Sequence, residues 1–450
     1  MRGLRIIVNP LYVCGTCLSF SQVTLRILVL GAAGFIGRHI VAELTAYGHE
    51  PVALVRRRDE FVRVFPAVEA IECDLAHALS ASDWLARLGR VDVVVNAAGL
   101  LRGPDMDAVH VLAPKALYEA CIRTSVKRVV LISAISARPE VDTDYARTKL
   151  AGEKALHESG LDWVILRPSL VVAKGSYGGT SLLRGLAGFP LMTPIAGDGS
   201  YAFSPLHADD LARAVRIVCE TEHYGKQTLE PAGPEILSLK EILMRYRAWL
   251  GFPPVPFLSI PLGLMRVVAK LGDRTASGPI SSNTLAQLTA GNAGDGERFA
   301  AAIGFTPRAL TTLLAQEPAQ VQDRWHARLF FLAPVLKMAL VLMWLVSGVI
   351  GLFTGAQIAG PALAAIGLGD GWTMPVVVAT SMLDLAMAAL VFLDRRGTKA
   401  TIAQLAVVAG YTAALTIALP GLWLDPLGPL VKNIPILGAI LCHGAVSDPR

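Results

Sequence analysis

The sequence predicts an α/β domain built on a doubly wound parallel sheet with a small second lobe, followed by an all-α domain of about four transmembrane helices. Three observations predict it. Apolar runs of strand length alternate with helix-length segments between residues 25 and 245, a pattern that implies βαβ crossovers and parallel strands. The first run, RILVL, enters a turn with glycines at 31, 34 and 37 and then an apolar-periodic helix, FIGRHIVAEL. Beyond Arg328 charges become sparse, and apolar stretches of membrane length follow one another.

Composition sets the outer bounds. A length of 450 residues fits roughly three domains. Hydrophobic residues make up 53% of the chain and mean hydropathy is +0.50, which places part of it in lipid. A net charge of +5 is small for this length, and no basic stripe with interleaved aromatics points to nucleic acid. Six cysteines, at 14, 17, 73, 121, 219 and 442, are scattered apart from Cys14 and Cys17. With no second pair or histidine cluster they make no metal site, and scattered thiols suit a reducing compartment. Residues 1–23 start basic but are broken by Asn9 and Pro10, a poor signal peptide, and read as a nonessential leader upstream of a start near Val23.

Taken in order, the glycine turn comes first. In a Rossmann-type fold such glycines permit the tight turn, let the backbone approach a pyrophosphate and pack helix on strand, with the phosphates at the helix N-terminus. That assigns Gly31, Gly34 and Gly37, with Phe35 and Ile36 between them, to a dinucleotide. A second strand, PVALV, ends in Arg56, Arg57 and Arg58, where NAD-specific folds carry a carboxylate and none appears here before Asp59. Arginine suits a 2′-phosphate, so NADP(H) is expected ahead of NAD(H). A third strand runs to Asp74 and Leu75. The fourth, VDVVVNAAG, brings Ala97, Ala98 and Gly99 to the carboxyl edge of the sheet, where open α/β folds bind ligands. A helix from about Val109 to Thr124 leads to a fifth strand, KRVVLISAIS. Then Tyr145 and Lys149 open a helix, four residues apart and so on one face. A neighbouring ammonium is expected to lower the phenol pKa toward a range useful for proton transfer.

These elements, GAAGFIG, CDL, NAAG, VKRVVLISAIS, YARTK, LRPSLV and FSPLHADDLARAV, resemble the extended or atypical short-chain dehydrogenase/reductase superfamily over about residues 24 to 245. Within it the chain is similar in type to the nucleotide-binding accessory subunit of respiratory complex I. The resemblance implies pyrophosphate at Gly31, Gly34 and Gly37, and the 2′-phosphate at Arg56. It places adenine beside Asp74 and Leu75, with Ala97, Ala98, Gly99 and Pro168 also against the cofactor. Tyr145 becomes the acid/base, and Lys149 the nicotinamide-ribose ligand. One position departs: where the family places the serine that polarises the substrate oxygen, this chain has Ala134, leaving Ser133 or Ser136 to substitute. Loss of such a donor costs about two or three powers of ten in rate. On the loop before the next helix Asp209 is expected to cap and His207 to be architectural.

Four apolar spans are expected: Met338–Phe353, Met374–Leu393, Ile402–Leu422 and about Leu427–Val446, with three plus an interfacial or re-entrant last segment as the alternative. The basic connection DRRGTK and the lysine- and arginine-free 354–373 orient the nucleotide domain to the cytoplasm, in an inner (cytoplasmic) membrane. RLFFLAPVLKMALVLMWLVSGVIGLF, an Asp384-bearing helix and WLDPLGPLVKNIPILGAIL resemble the DoxX-like membrane family over about 328–446. Asp384 reads either as a functional polar contact or as a packing partner of Lys337 or Lys432. The expected organisation is a leader (1–23), a nucleotide domain (24–245), the rest of a substrate lobe and linker (246–325), and the membrane domain (326–450). The leading function is a membrane-anchored NADP(H)-dependent oxidoreductase acting on a carbonyl, alcohol or quinone-like substrate, itself apolar enough to partition into lipid. A non-catalytic NADPH-binding accessory protein and a nucleotide-sugar epimerase or dehydratase are the alternatives.

Overall fold

A computed structural model describes residues 23–175, 177–275, 281–394 and 396–447. The leader and the Cys14/Cys17 pair lie outside the described residues. Among the described residues two compact units are present, each assembled from three stretches of chain: those up to 173, with 201–237 and 266–313, form the first, and 174–200, 238–265 and those from 314 onward the second.

The first unit is built on strands β1 (Arg26–Leu30), β2 (Glu50–Val55), β3 (Glu69–Glu72), β4 (Val93–Asn96), β5 (Arg128–Ile132) and β6 (Trp163–Leu166). A seventh strand, Gln227–Leu229, completes a sheet in which β6 follows that strand, then β5, β4, β1, β2 and β3. Every pairing is parallel. Helices α1 (Phe35–Ala46), α2 (Arg58–Val64), α3 (Ser82–Leu88), α4 (Ala113–Ile122) and α5 (Asp144–His157) make the crossovers. Strands covered on both faces read as continuous apolar runs: Val93, Val94 and Val95 are all buried, and alternate residues feed two separate cores. Strand order reverses between β1 and β4. In such sheets the crevice beyond the carboxyl ends at the reversal receives the ligand.

In the second unit a short parallel pair, Thr193–Ala196 with Phe257–Ile260, accompanies helices Gly179–Ala187 and Leu239–Trp249. The helix Val321–Thr354 packs its first turns against the former so tightly that a Cβ on Gly185 would lie 2.5 Å from Phe330, and one on Gly188 2.9 Å from the Ala327 Cβ. Buried Arg184 ties the same segment down, donating to Asp323 at 3.3 Å and stacking over Trp249 at 4.8 Å. The first apolar helix thus starts within the lobe.

Among the described residues, three helices are long and apolar enough to cross a membrane: Val321–Thr354, Asp370–Leu393 and Thr398–Ala418. The last expected span is a shorter helix, Asn433–Val446, in keeping with the three-span alternative. Lipid-length packing relies on close approach: a Cβ on Gly348 would lie 2.9 Å from the Ser381 carbonyl oxygen. Asp384 accepts from Ser347 Oγ at 2.6 Å and Tyr411 OH at 2.9 Å, so neither expected lysine is its partner. Lys337 instead donates to the Asp394 carbonyl at 3.0 Å, at the end of its helix pair where the basic loop begins.

Candidate functional site

The glycine turn follows directly from β1. Gly31 has φ +71°, and a Cβ there would meet the Ala98 backbone at 2.9 Å, so only glycine lets the β1 and β4 ends converge. At Gly37 a Cβ would stand 2.2 Å from the Gly31 carbonyl oxygen, which fixes α1 hard against the turn. Gly34 is the N-cap of α1, and neither a side-chain cap nor an acidic residue occupies its first turn. Phe35 and Ile36 open this helix, whose N-terminal dipole faces the sheet edge uncompensated by a cap. Glycines that a Cβ would fill, and an uncapped helix start, fit a pyrophosphate.

At the end of β2 the three arginines separate. Arg57 pairs with Glu60, while Arg58 donates to the Ala70 carbonyl at 3.1 Å and its backbone N–H to Glu72. Arg56, exposed immediately beyond the strand, has no side-chain partner among the described residues. Asp74 lies beyond β3, accepting from the Ala76 N–H at 3.1 Å, and Leu75 is buried. Ala97, Ala98 and Gly99 leave β4 beside Gly31, with Asn96 Oδ1 accepting the Ala98 N–H at 3.1 Å. Pro168 follows β6, its carbonyl accepting from Ile135.

Helix α5 starts at Asp144, capped by the Thr143 hydroxyl at 3.1 Å from the Ala146 N–H. It presents Tyr145 and Lys149 on one face, as expected. The buried Lys149 ammonium donates to the Ile132 carbonyl at 3.0 Å and the Ala98 carbonyl at 3.4 Å, bridging the ends of β5 and β4. Burial pulls its pKa down to about 8. Lys149 Nζ stands 5.9 Å from the Tyr145 ring centre, yet burial pushes the phenol up to about 12 rather than down. That reverses the expectation drawn from spacing, because desolvation of the phenolate outweighs the neighbouring charge.

His110, which no motif in the sequence marks, completes the constellation. It sits in a π-helical turn, Ala108–Leu112, ahead of α4. Its Nε2 accepts from the Leu100 N–H at 2.9 Å and its Nδ1 lies 2.8 Å from Thr148 Oγ1, whose own hydroxyl donates to the Asp144 carbonyl at 2.8 Å. These partners define a neutral ring protonated on Nδ1. Burial, then Lys149, holds its pKa down at about 3. The ring packs edge-on to Tyr145 with centroids 5.9 Å apart. In sequence it is a lone histidine on an apolar helix face, with nothing to distinguish it from a core histidine.

The serines divide. Ser133 is buried and donates to Glu153, which is also held by Arg167 at 3.0 Å, so its hydroxyl is committed away from a substrate. Ser136, in the turn after β5, is buried with no side chain of the described residues engaging its hydroxyl. Arg167 and Arg184, basic residues that would otherwise suit a second diphosphate, are both paired with carboxylates. The helix Ala208–Glu220 is capped by the His207 side chain and not by Asp209, since the helix begins two residues earlier than expected. Asp209 instead binds His39 of α1 at 2.6 Å, and its close contacts with His207 and His39 hold its carboxyl far below the usual range.

A glycine-lined strand-to-helix turn at the topological reversal, facing a partly buried tyrosine and a buried lysine, defines a nicotinamide-dinucleotide fold; the second unit adds helices fit for a membrane. Residues 31–185 match the NAD(P)H-binding family and residues 341–441 the DoxX-like family. The chain is 27% identical over 233 residues to a ceramide reductase of Caulobacter vibrioides, covering 51% of this chain and 71% of that protein. It is 24% identical over 221 residues to subunit 9 of the NADH dehydrogenase (ubiquinone) 1 alpha subcomplex of Dictyostelium discoideum, covering 48% of this chain but only 61% of the relative. Among solved structures, MoeE5 in complex with UDP-glucose and NAD superposes with a TM-score of 0.51 at 25% identity, covering 67% of this chain and 99% of MoeE5. The epimerase Mth375 of Methanothermobacter thermautotrophicus gives 0.53 at 16% identity, over 69% and 95% of the two chains, and shows the fold. The chain therefore joins an NAD(P)-binding domain to a DoxX-like membrane domain.

Proposed function

We propose that this chain is a membrane-anchored NADP(H)-dependent reductase of the short-chain dehydrogenase/reductase type, acting on a carbonyl group of a bilayer-borne lipid. The observation that carries the reading is the phenol of Tyr145, kept protonated by burial, beside the Lys149 ammonium at the edge where β4 and β5 end. Held protonated at neutral pH, the phenol has a proton to give to a carbonyl oxygen as hydride arrives, the transfer that carbonyl reduction needs. The bound nicotinamide supplies the hydride. Gly31, Gly34 and Gly37 hold its pyrophosphate, with Phe35 and Ile36 in the first turn of α1; Arg56 meets the 2′-phosphate, and Asp74 and Leu75 flank the adenine. Ala97, Ala98, Gly99 and Pro168 line the nicotinamide side, and Lys149 holds its ribose.

Tyr145 gives the proton to the substrate oxygen. With Ser133 spent on Glu153, Ser136 is the second donor to that oxygen in place of Ala134. The ceramide reductase relative supports a lipid substrate, and the attached apolar helices suit a chain that works at the bilayer holding such a substrate. The basic loop after Leu393 supports a nucleotide domain on the cytoplasmic side of an inner membrane.

The Ser133–Glu153 bond equally favours a non-catalytic accessory protein, the reading to which the complex I relative points. Following NADPH absorbance with detergent-purified protein and a panel of keto-lipids and quinones separates the two. Turnover that falls in Ser136→Ala and survives in Ser133→Ala supports the reductase; NADPH binding without oxidation of NADPH across the panel would sink it.

A further inference from the structure

Ahead of the first spanning helix, large exposed apolar side chains such as Val64, Leu79, Ile122 and Ile236 are scattered singly, as is ordinary for a protein surface. The helix Leu262–Thr275 breaks that pattern. Leu264, Val267, Val268 and Leu271 are exposed to 56%, 56%, 41% and 54%. Their spacing of three, four and seven residues puts all of them on one face. A second stripe, Leu262, Met265 and Ala269, turns inward, with Ala269 fully buried. A third, Arg266, Lys270 and Asp273, is exposed and charged. The helix is therefore anchored by one face, carries charge on another, and leaves an apolar stripe with nothing of the described chain upon it.

We propose that this stripe lies in the surface of the lipid bilayer. Three features of the chain select lipid over a protein partner. The described residues include three helices fit to span a membrane, so the chain carries its own attachment to a bilayer. Leucine and valine flanked by arginine and lysine are the composition of an interfacial helix, whose apolar face sinks roughly 5–10 Å to the headgroup and acyl boundary. Lys270 is the charge nearest the stripe, where its ammonium reaches anionic headgroups while its stem remains along apolar surface, and Arg266 lies further round on the charged face. The helix thereby holds this stretch of chain at headgroup level, independently of which reaction the nucleotide domain performs.

The test uses the full chain in nanodiscs containing phosphatidylglycerol. A nitrobenzoxadiazole fluorophore is attached through single substitutions Val268→Cys, Leu271→Cys and Lys270→Cys, with the labelled unsubstituted chain as the background for native cysteines. All are surface positions, and retained NADPH binding verifies folding. At 268 and 271 the emission is expected to shift to the blue and to be quenched several-fold more by lipids bearing a nitroxide near the headgroup than at 270. At 270 aqueous iodide is expected to quench more. Equal iodide access at 270 and 271 would overturn the proposal. So would shielding of 271 from both quenchers, which would show that a protein surface covers the stripe.

Discussion

Arg56→Ala isolates the claim about the cofactor's second phosphate. Arg56 stands beyond β2 with no side-chain partner among the described residues, so its removal leaves no buried group unpaired and should not alter folding. The lost interaction is a charge-assisted bond to a phosphate, worth about 1.5–3 kcal/mol, and solvent exposure places it at the low end. At about 1.4 kcal/mol per decade that is roughly a tenfold to thirtyfold rise in the Kd for NADPH. NADH, lacking the phosphate, should change less than about twofold. Arg57→Ala is the control, because Arg57 is already paired with Glu60. Titration of detergent-purified protein with each nucleotide at low and moderate salt reads both the ratio and its screening. Equal losses for NADPH and NADH, or the same loss in Arg57→Ala, would refute the assignment.

Gly37→Ala brings a Cβ within 2.2 Å of the Gly31 carbonyl, backbone against backbone, so α1 must move. Overpacking of that kind costs about 1–3 kcal/mol, and a lower melting temperature together with weakened binding of both nucleotides should be seen. Lys149 loses its proton as pH rises through about 8, so reductase activity should fall there while Tyr145 stays protonated to about 12; an alkaline limb absent below about pH 10 would contradict this. For His110 the unfolded chain takes up a proton near the ordinary histidine value of 6.5 and the folded chain only near 3. Stability contributed by this site is therefore lost as pH falls from 6.5 toward 3, and His110→Gln should show a shallower fall in melting temperature between neutral and mildly acidic pH than the unsubstituted chain.

The parallel sheet was legible because its signal is local: apolar runs of strand length, and a glycine turn whose residues touch only neighbouring strand ends. The arginine triplet was legible as a group, but only Arg56 is free for a ligand, and the partners that occupy Arg57 and Arg58 come from α2 and from β3. Partnerships across the fold were not legible. Ser133 is taken by Glu153, twenty residues on, and Asp384 by hydroxyls on two other helices rather than by a lysine. The four-residue spacing of Tyr145 and Lys149 correctly predicted their shared face. It could not weigh their mutual field against desolvation, which depends on how Gly99, His110 and Ile132 enclose the lysine. The final apolar stretch was read longer than its helix because Asp425 and Gly428 close a turn ahead of Asn433, at a glycine with φ +56°.

Conversion of Tyr145 to phenylalanine tests the central claim most directly, since it removes one oxygen from a partly buried ring and leaves the NADPH-binding turn intact. With NADPH and keto-lipid in nanodiscs, Tyr145→Phe should bind NADPH as the unsubstituted chain does and lose roughly 10²–10⁴-fold in turnover, the range for loss of a general acid. Undiminished NADPH oxidation by Tyr145→Phe would contradict the account.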